Sequence, residues 1–250
     1  DKLDAEKLEK VHGKIDMKNV TFSYDLNEKV LENLDISAKP NTVVAIVGPT
    51  GCGKTTIINL LMRFYNRNDG EILVDDKNID DITKKSMRQA YAMVLQDTWL
   101  FEGSIYENIA YGNENATLED VKRVAKLAQI DEFIEKLPNG YDTIISGNGD
   151  NISKGHKQLI NIARAMLIDA KMLILDEATS NIDSKTEIQI QNALLEIMKG
   201  KTCFIIAHRL STIKNADQIL VLNNGKIIEQ GKHEELLEED GFYANLFKSQ

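Results

Sequence analysis

Val43-Val44-Ala45-Ile46-Val47-Gly48-Pro49-Thr50-Gly51-Cys52-Gly53-Lys54-Thr55-Thr56 is the stretch on which the reading of this chain turns. Its first five residues form an almost continuous β-branched run, the pattern of a strand buried on both faces of a parallel sheet. From Gly48 to Thr55 the sequence satisfies glycine, four residues, Gly-Lys-[Ser/Thr]. Gly48, Gly51 and Gly53 let the backbone turn so that several amide N–H groups converge on phosphate oxygens. Pro49, Thr50 and Cys52 fill that turn, Cys52 as a small residue and not as a nucleophile or metal ligand. A helix opening at Lys54 adds the positive end of its dipole. Lys54 brings a charge to the β- and γ-phosphates, and Thr55 offers its hydroxyl to magnesium. Residues 48 to 56, closing on Thr56, are therefore a phosphate loop, and magnesium ATP is the expected ligand.

Outward from this loop, KTTIINLLMRFY has helical spacing of apolar residues. Upstream, IDMKNVTFSY and KVLENLDIS alternate apolar and polar residues, as antiparallel strands with one wet face do. Downstream, DGEILVDD predicts a hairpin strand after a turn at Asn68-Asp69-Gly70, and AYAMVLQ predicts a strand ending at Gln96. Thr117 to Leu137 reads as one helix, and KQLINIARAML as another after a Gly/Asn-rich stretch. MLILD, TCFIIAH and QILVLNNG read as strands with helical segments among them, and the tail HEELLEEDGFYANLF reads as helices. Alternating strands and helices in the second half imply a parallel sheet with helical layers. The stretch from Ser86 to Leu137 interrupts that rhythm, which suggests an inserted subdomain. Residues 1 to 14 read as a solvated linker or the end of a preceding segment.

Met172-Leu173-Ile174-Leu175-Asp176-Glu177 is an apolar strand ending in two acids. In phosphoryl-transfer sites one carboxylate holds magnesium and another polarises the attacking water. Asp176 suits the first role and Glu177 the second, because parallel strands present their C-terminal ends on one side of the sheet, where ligands bind. Gln96 and His208 also end apolar strands, and either suits the γ-phosphate or the water around magnesium.

With these motifs in register the chain resembles the nucleotide-binding domain of ATP-binding cassette transporters, over essentially all of Ile15 to Phe247. LILDEATSNID stands in the family's order of motifs, and phrases of the exporter branch are LQDTWLFEGSIYENI, LPNGYDT, IIAHRLSTI and ADQILVL. The resemblance implies an α/β P-loop ATPase fold. It would have a mixed core sheet, an antiparallel β-subdomain, and an inserted helical subdomain at about residues 86 to 168 of a domain spanning 15 to 250. It implies that Tyr24 stacks on adenine and that Gln96 links the γ-phosphate to the membrane domains. Asn181-Ile182-Asp183 would form a loop crossing to a partner domain, and His208 would hold the γ-phosphate and attacking water. In the family two such domains sandwich two ATP molecules, each phosphate loop facing the other domain's signature motif. Here that motif gives Ser153 and Gly155 as nucleotide contacts.

The signature itself departs from the family's Leu-Ser-Gly-Gly-Gln, reading Ile152-Ser153-Lys154-Gly155-His156. If the backbone at the lost glycine must be left-handed, Lys154 costs about 1–2 kcal/mol. Gly147 also stands where the family carries a glutamate. An intact phosphate loop, Glu177 and His208 beside an altered signature suggest one half of a heterodimeric exporter, with transmembrane domains and a non-identical nucleotide-binding domain as partners. The expected place is the cytoplasmic face of a membrane, held by those domains.

Composition bounds the alternatives. Apolar residues make up 42% and charged residues 28%, as in ordinary globular proteins. No stretch approaches a membrane-spanning length. The net charge of −9 argues against a nucleic-acid surface. Two cysteines provide no disulfide framework, which suits a reducing compartment. A nucleotide-gated module that barely hydrolyses ATP, and a soluble ATPase acting on DNA or ribosomes, are the competing readings.

Overall fold

A computed structural model describes residues 1–25, 29–147, 149–176, 182–207 and 210–249, the side chains of 210 and 211 excepted. These fall into two units: Asp1–Tyr91 with Ala170–Glu177 and Gly200–Gln250, and Ala92–Asp169 with Ala178–Lys199.

In the first unit, β1 (Ile15–Phe22), β2 (Leu31–Ala38), β4 (Asp69–Val74) and β5 (Lys77–Asn78) make an antiparallel sheet ordered β2-β1-β4-β5. The register of β1 on β2 shifts between Met17 and Val20, and Asn19 and Asn33 both have positive φ. Such bulges keep Ile15, Met17, Val20 and Phe22 buried on one face although their spacing is not strictly two. Asp75 and Asp76, with φ of 49° and 65°, form the two-residue turn into β5.

The phosphate loop hangs from a second sheet. It contains β3 (Val43–Val47), β9 (Met172–Asp176), β10 (Thr202–Ile206), β11 (Gln218–Asn223) and β12 (Lys226–Gly231). Within this unit their order is β12-β11-β3-β10-β9, parallel apart from β12. Every residue of β10 and four of β11 are buried, which is why these strands read as continuous apolar runs. Asp217 pins the start of β3, its carboxylate accepting from the Val43 N–H at 2.7 Å.

The helices of this unit are α1 (Lys54–Leu61), α2 (Lys84–Gln89), α8 (Leu210–Lys214), α9 (His233–Glu238) and α10 (Phe242–Lys248). The helix expected to run on to Tyr65 stops at Leu61. Arg63 takes a left-handed φ of 51°, and the Phe64 N–H closes the end on the Asn59 carbonyl at 2.9 Å. Arg63 is buried, and its guanidinium donates to the Ile82 carbonyl.

The chain passes into the second unit through β6 (Tyr91–Val94), two residues shorter than the strand predicted to end at Gln96. A small ribbon of β7 (Gly103–Ser104) on β8 (Ile144–Ile145) accompanies five helices: α3 (Ile105–Ala110), α4 (Leu118–Leu127), α5 (Asp131–Glu135), α6 (Lys154–Leu167) and α7 (Ser184–Met198). The single helix expected over Thr117 to Leu137 is two. Gln129 turns left-handed with φ 58°, and the Ile130 N–H reaches back to the Ala125 carbonyl at 2.9 Å. Reciprocal caps start α3 and α4, pairing Ser104 with Glu107 and Thr117 with Asp120.

Arg164 organises the interior of this unit. Its guanidinium donates to the Asn108 carbonyl at 2.7 Å, the Trp99 carbonyl at 3.0 Å and Asn108 Oδ1 at 3.0 Å. It also sits 5.6 Å from the Tyr111 ring centroid. Burial lowers its pKa from the usual guanidinium value, but three acceptors keep the charge solvated by protein.

Candidate nucleotide site

The loop geometry follows from what its glycines must avoid. Gly48 has φ 151°, and a Cβ there would collide with the Leu222 carbonyl of β11 and meet Cys52 Sγ at 2.9 Å. Gly53 has φ 107°, and its Cβ would lie 2.6 Å from Leu31 Cδ2. Gly48 is therefore required for space as well as conformation, and Gly53 for its conformation. Gly51 stands at the exposed outer bend with nothing near it. Pro49 and Thr50 are also exposed, and Cys52 is buried beneath, its carbonyl accepting from the Gly225 N–H at 3.1 Å.

Lys54 folds over the loop. Its ammonium donates to the Gly48 carbonyl at 2.8 Å and the Pro49 carbonyl at 2.9 Å, which holds the charge over the concave face. Thr55 is exposed on the first turn of α1, whereas Thr56 is buried. The Thr56 hydroxyl lies 3.1 Å from the phenol oxygen of Tyr24. The Tyr24 ring stands edge-on to Phe22 (centroids 4.8 Å apart, 87°) and to Tyr65 (5.0 Å, 88°), and half of the residue is open to solvent. An aromatic platform is thereby fixed beside the phosphate loop. Tyr65 is the part of it that sequence reading missed, because it was counted only as the end of a helix.

Asp176 ends β9. It pairs in register with Ile206 of β10, which pairs with Ile46 of β3, two residues ahead of Gly48. Two strand spacings put its backbone about 10 Å from that of Ile46. Glu177, Asn181 and His208 lie outside the described residues. Among the described residues no group of three or more His, Cys, Asp or Glu side chains is arranged to hold a metal. The Thr55 hydroxyl and Asp176 carboxylate are nonetheless hard oxygen donors of the kind magnesium takes alongside nucleotide phosphates.

In the second unit, Gln96 is exposed just beyond β6. Ser153 is the N-cap of α6, its Oγ accepting from the His156 N–H at 3.2 Å. Lys154 is the first residue of the helix and is not among the residues with positive φ. The strain expected from losing a glycine there does not arise. A helical φ suits any residue once serine supplies the cap. Gly155, by contrast, is required for space: a Cβ would strike Thr186 Cγ2 and approach Ile182 Cγ2 to 3.1 Å. His156 stacks on Phe133 of α5, with centroids 3.7 Å apart at 21°, and its Nδ1 lies 3.0 Å from Ser153 Oγ. Burial lowers the His156 pKa, and the Asp183 carboxylate opposes that shift. Asp183 caps α7, where the Thr186 N–H holds its own pKa down.

A glycine-bound phosphate loop between a buried parallel strand and a helix, with a carboxylate ending a neighbouring strand, defines a P-loop nucleotide-binding domain. The family model described as ABC transporter matches residues 31–180. The uncharacterized ABC transporter ATP-binding protein YfiC of Bacillus subtilis is 52% identical over 238 residues, covering 95% of this chain and 39% of that protein. The fatty acid ABC transporter ATP-binding/permease protein of Mycobacterium bovis is 49% identical, over 95% of this chain and 38% of its own length. The ATP-dependent lipid A-core flippase of Desulfotalea psychrophila is 47% identical, over 100% and 44%. A solved bacterial Atm1-family ABC exporter with ATP bound superposes with a TM-score of 0.93 at 41% identity, over 100% of this chain and 44% of that one. The chain belongs to the ABC transporter family, as an ATP-binding domain. It spans about two-fifths of the length of these relatives. Among the described residues no helix is long and apolar enough to cross a membrane.

Proposed function

We propose that this chain hydrolyses magnesium ATP to drive export of a substrate across a membrane, on whose cytoplasmic face transmembrane domains hold it. The observation that carries this reading is the likeness, over the whole of this chain and 44% of the other, to an exporter with ATP bound, joined to a phosphate loop whose glycines and lysine are all in place. Tyr24 offers its ring to the adenine. Lys54 exchanges the Gly48 and Pro49 carbonyls for phosphate oxygens, which bear more charge and bind it more strongly. Thr55, Asp176 and the Gln96 side chain would hold magnesium, which would supply positive charge to offset the phosphate oxygens. Glu177 orients and deprotonates the attacking water, and His208 holds the γ-phosphate side. In the assembled transporter, Glu177→Gln should lower turnover by about 100-fold or more while nucleotide binding persists. Parent-like turnover in that variant would remove Glu177 from the role.

Ser153 and Gly155 would face a nucleotide held by a second nucleotide-binding domain arranged head to tail. Lys154, His156 and Gly147 favour a partner of different sequence, because they alter only the face this chain offers to another site. Purified full transporter should then contain two different chains. Full ATPase activity from an assembly containing this chain alone would sink the non-identical partner.

A further inference from the structure

We propose that His156 is a positioning residue for Ser153, and that it couples nucleotide held against this signature to protonation of its imidazole. The inference rests on the reading that Ser153 meets a partner's nucleotide. A serine hydroxyl has one proton and two lone pairs. Here one lone pair accepts the His156 backbone N–H, and the imidazole Nδ1 of the same residue lies 3.0 Å from the oxygen. Two states follow. When Nδ1 carries no proton, the Ser153 O–H points at Nδ1, so the hydroxyl has only a lone pair to turn outward, towards a ligand that is itself all acceptors. When Nδ1 carries a proton, in the imidazolium or in the neutral Nδ1–H tautomer, it donates to the second lone pair, and the Ser153 proton is released to donate to a phosphate oxygen.

The imidazole is held for this purpose. Phe133 stacks flat on it from α5, so the ring cannot swing away from Ser153 without losing that contact. The charge acting on it from the start of α7 is Asp183, and α5 presents the apolar Phe133 ring. On its own helix, Lys154 and Lys157 are the neighbouring cations. A phosphate at Ser153 selects the Nδ1–H forms, and its negative charge favours the imidazolium over the neutral Nδ1–H tautomer, the cation adding to the positive end of α6. Binding therefore raises the His156 pKa from its lowered value in the open domain. The sign follows from linkage: with a bound pKa above the free one, affinity strengthens as pH falls through the bound value and levels off below the free value.

The experiment is a set of ATPase measurements on the full transporter at pH 6 to 8, resolving KM for magnesium ATP from kcat. The parent, His156→Gln, His156→Ala and Ser153→Ala are compared. The parent should show KM falling about fivefold from pH 8 to 6. Both His156 variants should flatten that slope, and Ser153→Ala should raise KM at every pH and remove the slope. A parent-like slope in the folded His156 variants, with Ser153→Ala impaired, would overturn the role of His156 alone. Parent-like kinetics in Ser153→Ala would overturn the placement of Ser153 at nucleotide, and this inference with it.

Discussion

Tyr24 carries two interactions that substitution can separate. In the proposed function its ring would stack on the base, while its hydroxyl meets Thr56, a buried member of the phosphate loop. Stacking of an aromatic on a base is worth about 1–3 kcal/mol. An exposed hydrogen-bonding hydroxyl contributes about 1 kcal/mol or less. Tyr24→Ala should therefore weaken ATP binding by about 1–3 kcal/mol in titration calorimetry, and Tyr24→Phe by clearly less. Equal losses in the two variants would place the effect in the Thr56 contact instead of the ring. Lys154 teaches a different lesson at this scale. A residue that breaks a familiar motif is not strained by doing so, because Ser153 already supplies the cap and Lys154 only has to be helical.

At the scale of elements, what was legible in the sequence is what local chemistry specifies. The phosphate loop, the strands β3, β9, β10 and β11, and the antiparallel β1 and β2 all follow from runs, alternation and glycine spacing, and the α/β class follows from them. What escaped was set by single backbone torsions. Gln129 and Arg63 adopt left-handed φ without being glycine, so nothing in the residue type marks where α4 and α1 end. The bulges at Asn19 and Asn33 are visible only as spacings of three in an otherwise alternating pattern. At the site, Lys54, Thr55 and Asp176 could be found from motif and strand ends. The Tyr65 support of Tyr24 and the contact of His156 with Ser153 could not, because they depend on rings brought together by folding. The Arg164 cage on Asn108 and Trp99 was hidden for the same reason, its partners being 56 and 65 residues away along the chain.

At the scale of the molecule, the second unit is built from two stretches, and the first unit from three. Neither is a continuous segment, so no truncation of the chain isolates one of them intact. The phosphate loop of the first unit and Ser153 of the second are thus inherited together.

The carbonyl of Leu222 that leaves no room for a side chain at Gly48 has a consequence in time. The loop is written well ahead of its floor: Val43 and the Asp217 that anchors it are 174 residues apart. At about 5–20 residues per second, the ribosome needs roughly 10–35 s to travel that distance. Through that interval the growing polypeptide carries a recognisable phosphate motif with no strand beneath it. Nascent chains stalled ahead of β11 should fail to retain an immobilised ATP analogue, and chains released after β12 should retain it. Retention by the shorter chains would mean that the loop takes shape without its floor. On this expectation, synthesis delays ATP capture until β11 has been made.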